Sequence, residues 1–406
     1  MKRKTLVSLS LITLIALVSL AAHAQTFSVI HTFTDTTGYD AYGGVTVRGS
    51  LLYGTTNTWP STVYQLIPSG SDWLFSTILV LNNQGNGLVS RVVFGPDNHL
   101  YGTAQEGGPY NEGAVFKLTP PLGPCKTVAC YWTENIIHQF GSGNDGSTPG
   151  EGDLIWDQQG NIYGTTIEGG TSNLGTVYEI SPQGNSWTES VLYSFSGPDG
   201  QGPANRLVLD NNGNLFSTTD AGGANNYGTI FELSYVVGVG WTQQILYNFQ
   251  NGDDGQRPIG GLVMDASGNL YGAASDGGSG GGGNIFELSP SGNTWNFQVL
   301  YSFNGTSSCG PRANLTLDAA GNIYGTTLCD GAFGNGNVFD LANAQNGWQY
   351  NSLHDFTGGS DGGWRVYSGV TIDANGTLYG TTLRGGNFEG SCAAGPGCGV
   401  VWMIKP

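Results

Sequence analysis

The sequence predicts an all-β fold, a seven-bladed β-propeller of four-stranded blades, on three observations. Short Val, Ile, Tyr and Thr runs alternate with Gly, Asn and Asp, and no segment after residue 24 has the 3.6-residue apolar period of a helix. A phrase built on Tyr-Gly-Thr recurs seven times. The repeat unit is incomplete at both ends of the chain, and the two ends complement one another. We therefore predict a single propeller domain over residues 25–406.

Residues 1–24 are predicted to be an export signal. Three basic residues precede a mainly apolar run, and Ala22-His23-Ala24 fits a small-x-small cleavage site. The alternative is an uncleaved membrane anchor, because the apolar run approaches the length of a spanning helix. We expect a mature chain with no membrane span that is secreted, either extracellular or periplasmic, and monomeric.

The composition indicates a globular protein and excludes nucleic acid as a partner. Glycine supplies 68 of 406 residues and charged residues only 11%, but aromatic residues also reach 11%, which is enough for a core. The formal net charge is −17, and it becomes about −20 without the basic residues of the signal. This charge repels phosphate backbones and anionic lipid.

Each repeat unit contains four strand-forming phrases, which we name A to D in chain order. Phrase A ends in Asp-x-x-Gly-Asn, as in "LVLDNNGN", a hairpin signal. Phrase C resembles "GTVYEISP", and phrase D begins with Trp, as in "WTESVLYSF". Four short strands in about 40 to 60 residues are typical of a propeller blade. Phrase B is centred on Tyr53, Tyr101, Tyr163, Phe216, Tyr271, Tyr324 and Tyr379.

The ends of the chain predict how the ring closes. The last unit has phrases A to C without D, and "FSVIHTF" at 27–33 is a phrase D with nothing before it. Residues 367–406 and 27–33 would together complete the seventh blade. An open stack would instead leave two strand edges unpaired, at about 1 kcal/mol for each buried backbone group.

The repeated residues are expected to be structural. The Tyr of phrase B and the Trp of phrase D are predicted to fill the space of about 10 Å between facing sheets. The Gly of phrase B is predicted to let a neighbouring sheet approach closely. His31, His138 and His354 occupy a phrase D position that other units give to Tyr, so we expect no catalytic role for them.

Six cysteines in an exported protein indicate disulfide bonds. Two pairs each lie within one short loop, and the third joins two loops that the strand directions bring to the same face. The predicted pairs are Cys125 with Cys130, Cys309 with Cys329, and Cys392 with Cys398.

The phrase set resembles the GloVer-type tandem repeat, which is found in exported bacterial proteins with a choice of C-terminal anchor. The resemblance covers nearly the whole mature chain in seven copies, from "LLYGTT" to "TLYGTT". It implies a secreted or surface-associated repeat protein and supplies no catalytic residue.

Residues that break the repeat are the candidates for function. Four residues before the Asp of Asp-x-x-Gly-Asn, the seven units differ in charge, and we expect this position near the mouth of the central channel, where propellers hold ligands. The residues there are Gly44, Arg91, Asp153, Arg206, Gly261, Asn314 and Gly369. The polar neighbours are Glu151, Asn205, Arg312, Arg365 and Tyr367.

Loop aromatics are expected on the same face, where flat rings beside polar groups suit sugars. They are Trp59, Tyr110, Tyr227, Phe333, Trp364 and Phe388. The loops from strand D to the next strand A carry carboxylates that favour turns, with calcium binding as the alternative. These are Asp145, Asp199, Asp253, Asp254 and Asp361.

Two functions follow from these candidates. The first is a non-enzymatic binding module for a glycan or an extracellular protein, with no cofactor and with ligand contacts from Trp59, Arg91, Arg206, Arg312, Trp364, Arg365 and Tyr367. The alternative is a metal-dependent hydrolase or lactonase, in which calcium or another divalent ion is held by Glu151, Asp153, Asn205 and Asn314 and activates water or a carbonyl. The lack of a nucleophile–base pattern favours the binding module.

Overall fold

The computed structural model of the protein describes residues 25–81, 87–121, 131–141, 144–305, 308–345 and 347–406. In these residues, 29 strands form seven antiparallel sheets that follow one another as the blades of a propeller. In each blade the strands are hydrogen-bonded in the order A, B, C, D, with strand A beside the central channel. The all-β, seven-bladed prediction is therefore confirmed.

The strands of the first six blades follow β1 (Thr26–Thr32). Blade 1 has β2 (Val45–Arg48), β3 (Leu51–Thr56), β4 (Thr62–Ser69) and β5 (Asp72–Val80). Blade 2 has β6 (Val93–Phe94), β7 (Leu100–Ala104), β8 (Ala114–Thr119) and β9 (Thr133–Gln139). Blade 3 has β10 (Gly146–Pro149), β11 (Ile155–Trp156), β12 (Ile162–Gly169), β13 (Thr176–Gln183) and β14 (Ser186–Ser194). Blade 4 has β15 (Val208–Leu209), β16 (Leu215–Thr219), β17 (Thr229–Val236) and β18 (Gly240–Asn248). Blade 5 has β19 (Gly260–Met264), β20 (Leu270–Ala274), β21 (Gly281–Ser291) and β22 (Thr294–Asn304), and blade 6 has β23 (Thr316–Leu317), β24 (Ile323–Thr327), β25 (Asn337–Ala344) and β26 (Gly347–Asp355).

Blade 7 is built from both ends of the chain. Its C-terminal part is β27 (Thr371–Ile372), β28 (Leu378–Thr382), a short 3-10 helix (Gly390–Ala394) and β29 (Val400–Lys405). Strand β1 completes it, running antiparallel to β29 with Thr26 opposite Lys405 and Thr32 opposite Val400. The predicted closure by the N-terminal strand is confirmed.

The sheet of blade 3 has one strand more than predicted. Strand β10, from the loop that enters the blade, pairs with the extended end of β12. The equivalent contact in three other blades is a single bridge, such as Gln201 with Ala221. In blade 6 the same place holds the Cys309–Cys329 disulfide, so a covalent bond is added to a backbone hydrogen bond between these two residues.

The second predicted disulfide within the described residues, Cys392–Cys398, is also present. The third predicted pair, Cys125 with Cys130, lies outside the described residues, as does the predicted export signal at 1–24. Among the residues that the structure describes, no helix has the length and apolar character needed to cross a membrane.

The hairpin between strands A and B explains why its motif repeats. In blade 3, Asp157 accepts hydrogen bonds from the Asn161 backbone (2.9 Å), the Asn161 side chain (2.7 Å) and the Tyr163 hydroxyl (3.0 Å). One carboxylate thus closes the hairpin and holds the Tyr of strand B. The motif is structural, as its recurrence predicts.

The Gly of phrase B has a different role from the one predicted. A Cβ atom at Gly164 would lie 2.2 Å from the hydroxyl oxygen of Tyr178, and one at Gly380 would lie 2.3 Å from the ring of Trp402. Both rings belong to strand C of the same blade. The glycine therefore makes room for an aromatic ring within its own sheet, and the prediction that it admits a neighbouring sheet was wrong.

Candidate ligand-binding site

A narrow cavity opens at the mouth of the central channel. Its walls come from equivalent places in the repeat, just before each strand A. Side chains alternate along extended backbone, so positions four and six residues before the hairpin Asp both face the channel. The residues at these two positions form two tiers. The residues four before the Asp form the lower tier, and those that line the cavity are Arg91, Asp153, Arg206, Asn314 and Gly369. The residues six before the Asp form the upper tier, and those that line the cavity are Tyr42, Val89, Glu151, Ile259, Arg312 and Tyr367.

The sequence analysis proposed seven residues as ligand contacts and four as metal ligands. Eight of these eleven residues line this cavity, and Asn205 is one of them. The sequence prediction missed the upper tier as a set, and with it Tyr42. The signal was available, because Tyr42 lies two residues before Gly44 as Glu151 lies two before Asp153. The Tyr42 and Tyr367 rings contact one another at a centroid distance of 4.9 Å.

In the lower tier, Arg91 and Asp153 form an ion pair between blades 2 and 3. Asp153 is only 5% exposed, and Arg91 donates hydrogen bonds to both of its carboxylate oxygens. Arg91 also donates to Thr371 Oγ1 at 2.7 Å, and Thr371 donates to the carbonyl of Val45 at 2.6 Å. Together these contacts link blades 7, 1, 2 and 3 beside the channel.

Two other arginines in the cavity have no such partner. Within the described parts of the chain, the side chains of Arg206 and Arg312 form no ion pair or hydrogen bond, and the Nε atom of each is buried. Burial lowers the pKa of Arg206, the nearby Asp153 raises it and Arg91 lowers it. Arginine nevertheless keeps its charge in proteins. The cavity therefore contains positive charge that the protein does not pair.

Glu151 stands on the rim of the same cavity. Its side chain is accessible to solvent at the mouth, but protein atoms of the surrounding blades lie close to it. The resulting desolvation raises the pKa of Glu151. Arg312 opposes that shift, and Asp220 adds to it. Solvent at the mouth screens these charge effects.

A second, wider cavity adjoins the first. Arg312 and Tyr367 line both cavities, and Trp364 and Arg365 line the second. Trp364 is 53% exposed and has a left-handed backbone, with φ of 48°. The fold needs this conformation here, because Gly202 occupies the equivalent place in blade 4 with φ of 63°. A bulky residue is strained at such a position.

Trp59 does not join this site. Its ring is 71% exposed in the loop between strands B and C of blade 1, and it lines neither cavity. Tyr110, Phe333 and Phe388 are exposed in equivalent loops, whereas Tyr227 packs partly against the core.

The four residues proposed as calcium ligands line the cavity, but the more buried of the two carboxylates, that of Asp153, is already paired. Arg91 occupies both oxygens of Asp153. The side-chain nitrogen of Asn205 donates to Thr218 Oγ1 (2.8 Å) and to the carbonyl of Pro258 (2.9 Å), and these bonds fix the orientation of its amide. Calcium prefers clustered anionic oxygens, and here three arginines line the same space. The residues present fit an anion better than a divalent cation.

The Asp-Gly loops hold their carboxylates in local contacts. Asp199 accepts from the Tyr193 hydroxyl (2.6 Å) and the Ser196 backbone (2.8 Å), and Asp254 accepts from the Tyr247 hydroxyl (3.0 Å). These contacts fit the turn interpretation.

One cluster of titratable groups was not predicted. His138, Asp145 and Glu189 converge between blades 2 and 3, with one ligand atom of each within 4.8 Å of the others. At this place other blade interfaces stack aromatic rings, as Tyr247 does on Phe297. Burial, followed by the charge of Asp145, raises the pKa of Glu189 to about 7, while His138 lowers it.

The fold and the site define a repeat propeller with a charged cavity at the mouth of its channel. The sequence matches the Gloeobacter/Verrucomicrobia repeat over residues 131–243 and 237–393, so the chain belongs to this repeat family, as its resemblance to the GloVer-type repeat predicts. No curated protein matches its sequence.

Solved structures share the fold at low identity. The extracellular domain of a protein described as a hybrid two-component system of B. thetaiotaomicron superposes with a TM-score of 0.55 at 10% identity, covering 94% of this chain and 42% of that one. A glucose dehydrogenase gives 0.49 at 13% identity, covering 94% and 99%. A gluconolactonase of Xanthomonas campestris gives 0.44 at 12% identity, covering 75% and 86%. At such identities the likeness shows the fold alone.

Proposed function

We propose that the protein is a non-enzymatic binding module that acts outside the cytoplasm and takes a carbohydrate on its loop face. The observation that carries this proposal is the two-part cavity at the channel mouth, where arginines adjoin the exposed ring of Trp364. A flat indole can stack on a sugar ring while guanidinium groups donate hydrogen bonds to its oxygens. The disulfides support a location in an oxidising compartment.

A glycan-binding screen of the purified protein tests this proposal. We expect binding to at least one glycan and a loss of that binding in Trp364→Ala. Trp59→Ala is the matched control, because Trp59 is also an exposed loop tryptophan but lines neither cavity. Failure to bind any glycan, or equal effects of the two substitutions, would remove the support for this site.

The alternative, a divalent ion in the channel, is tested by running the same screen with and without calcium and by a thermal-shift titration. The pairing of Arg91 with Asp153 supports the binding module over the metal site. Stabilisation by calcium that disappears in Asp153→Ala would favour the alternative instead.

A further inference from the structure

We propose that the ligand of this cavity is anionic, namely a saccharide that carries a carboxylate, such as a uronic acid. This inference rests on the proposed carbohydrate function and specifies its chemistry. The distribution of positive charge in the molecule carries it, together with the lack of protein partners for part of that charge.

The arginines are concentrated in one place. The formal net charge of the chain is −17, yet three of its eight arginines line the channel-mouth cavity and a fourth, Arg365, lines the adjoining one. Only two carboxylates, Glu151 and Asp153, line the same cavity. The mouth is therefore locally positive on an acidic protein, which attracts anions and concentrates field in the cleft.

Pairing separates the structural arginines from the available ones. Arg91, Arg257 and Arg384 each form an ion pair with an aspartate. Arg206 and Arg312 lack any such contact throughout the residues that the structure describes, although their Nε atoms are buried. An unpaired charge and an unsatisfied donor away from water are both costly, and such groups call for a missing partner. A bound anion would supply that partner.

The geometry favours a carboxylate. A guanidinium is a planar fork that matches a carboxylate in two parallel hydrogen bonds. With Asp153 held by Arg91 and Glu151 on the rim, the lining has about one uncompensated positive charge, which suits a singly charged group. Arg312 borders both cavities, so an anion bound there would lie next to the surface that Trp364 offers to a sugar ring.

The test compares acidic oligosaccharides with their methyl esters, which keep the sugar and remove the charge. Trimers of galacturonate, glucuronate, mannuronate and guluronate are titrated by calorimetry, beside sulfated and neutral trimers. We expect at least one uronate trimer to bind, its methyl ester to bind at least tenfold more weakly, and the affinity to fall as salt rises.

Arg312→Gln is the diagnostic variant, and Arg48→Gln is its binding control, because Arg48 lines neither cavity. We expect Arg312→Gln to weaken uronate binding at least tenfold without lowering the thermal midpoint, because within the described residues the Arg312 side chain makes no hydrogen bond or ion pair that the substitution would break. Arg206→Gln provides a second variant with the same expected loss.

The outcomes separate the two proposals. If neutral or sulfated trimers bind as well as uronates, or esters bind as well as acids, the carboxylate inference is overturned while the carbohydrate function stands. If no glycan binds, both fall. A lower thermal midpoint for ligand-free Arg312→Gln would show that the arginine has a structural partner and would also overturn the inference.

Discussion

Arg91 donates hydrogen bonds to both carboxylate oxygens of Asp153, although the two residues are 62 positions apart. They occupy the same place in consecutive repeats, and the ring brings both to the channel. Because this pair neutralises its own charges, the arginines that remain unpaired in the cavity are the ones that we propose to contact the ligand.

Replacing Asp153 with Ala should destabilise the fold by about 3–5 kcal/mol, because it leaves Arg91 without its partner in a buried setting and beside Arg206. Chemical denaturation measures the loss. The double variant Arg91→Ala/Asp153→Ala should lose less than the sum of the single variants. Additive losses would mean that the pair is not coupled.

Closure of the ring can be tested at Phe33, which is fully buried and packs against Tyr64 just after strand β1. Phe33→Ala should cost about 3–5 kcal/mol and should speed hydrogen exchange of the β29 amides that pair with β1. Phe333→Ala is the matched control, and at 61% exposure it should change stability by less than about 0.5 kcal/mol. Similar effects of the two substitutions would contradict closure by this strand.

Acid should weaken the closing strand through His31, which stacks on Phe75 of blade 1. Burial lowers the pKa of His31 to about 4. The neutral ring is therefore favoured in the folded state, and its contribution is present above pH 6.5 and is lost as the pH falls towards 4, by about 3 kcal/mol at most. His31→Phe should remove this part of the pH dependence of unfolding. His99→Gln, which alters a histidine outside the strand, should retain it.

The cluster between blades 2 and 3 predicts the opposite pH dependence. Burial raises the pKa of Glu189 to about 7, so its contribution to stability is complete below about pH 4.5 and is lost as the pH rises through 7. Glu189→Gln should therefore be more stable than the parent above pH 7, by roughly 1–2 kcal/mol once solvent screening of this half-buried group is allowed for, and equal to it below pH 4.5. Glu106→Gln, at an exposed residue, should follow the parent at every pH. A Glu189→Gln variant with the parent's profile would show that Glu189 is not perturbed.

Repetition made much of the architecture predictable. Seven copies of one phrase indicate seven equivalent strands, and complementary chain ends indicate a closed ring. Strand direction then assigns each loop to one face of the ring. The pairing of Cys309 with Cys329 could therefore be inferred although 20 residues separate them in the sequence. The same alignment placed Arg91 and Asp153 at the channel.

Contacts between side chains were decided only by the tertiary structure. A repeat specifies where a backbone position lies around the ring, but not which side chain reaches a partner across it. The sequence therefore did not show that Arg91 is paired and Arg312 is not, that Trp59 lies away from the cavity, or that Gly164 makes room for Tyr178. These outcomes depend on side-chain length and on the spacing between particular blades. That spacing is set only when the ring closes.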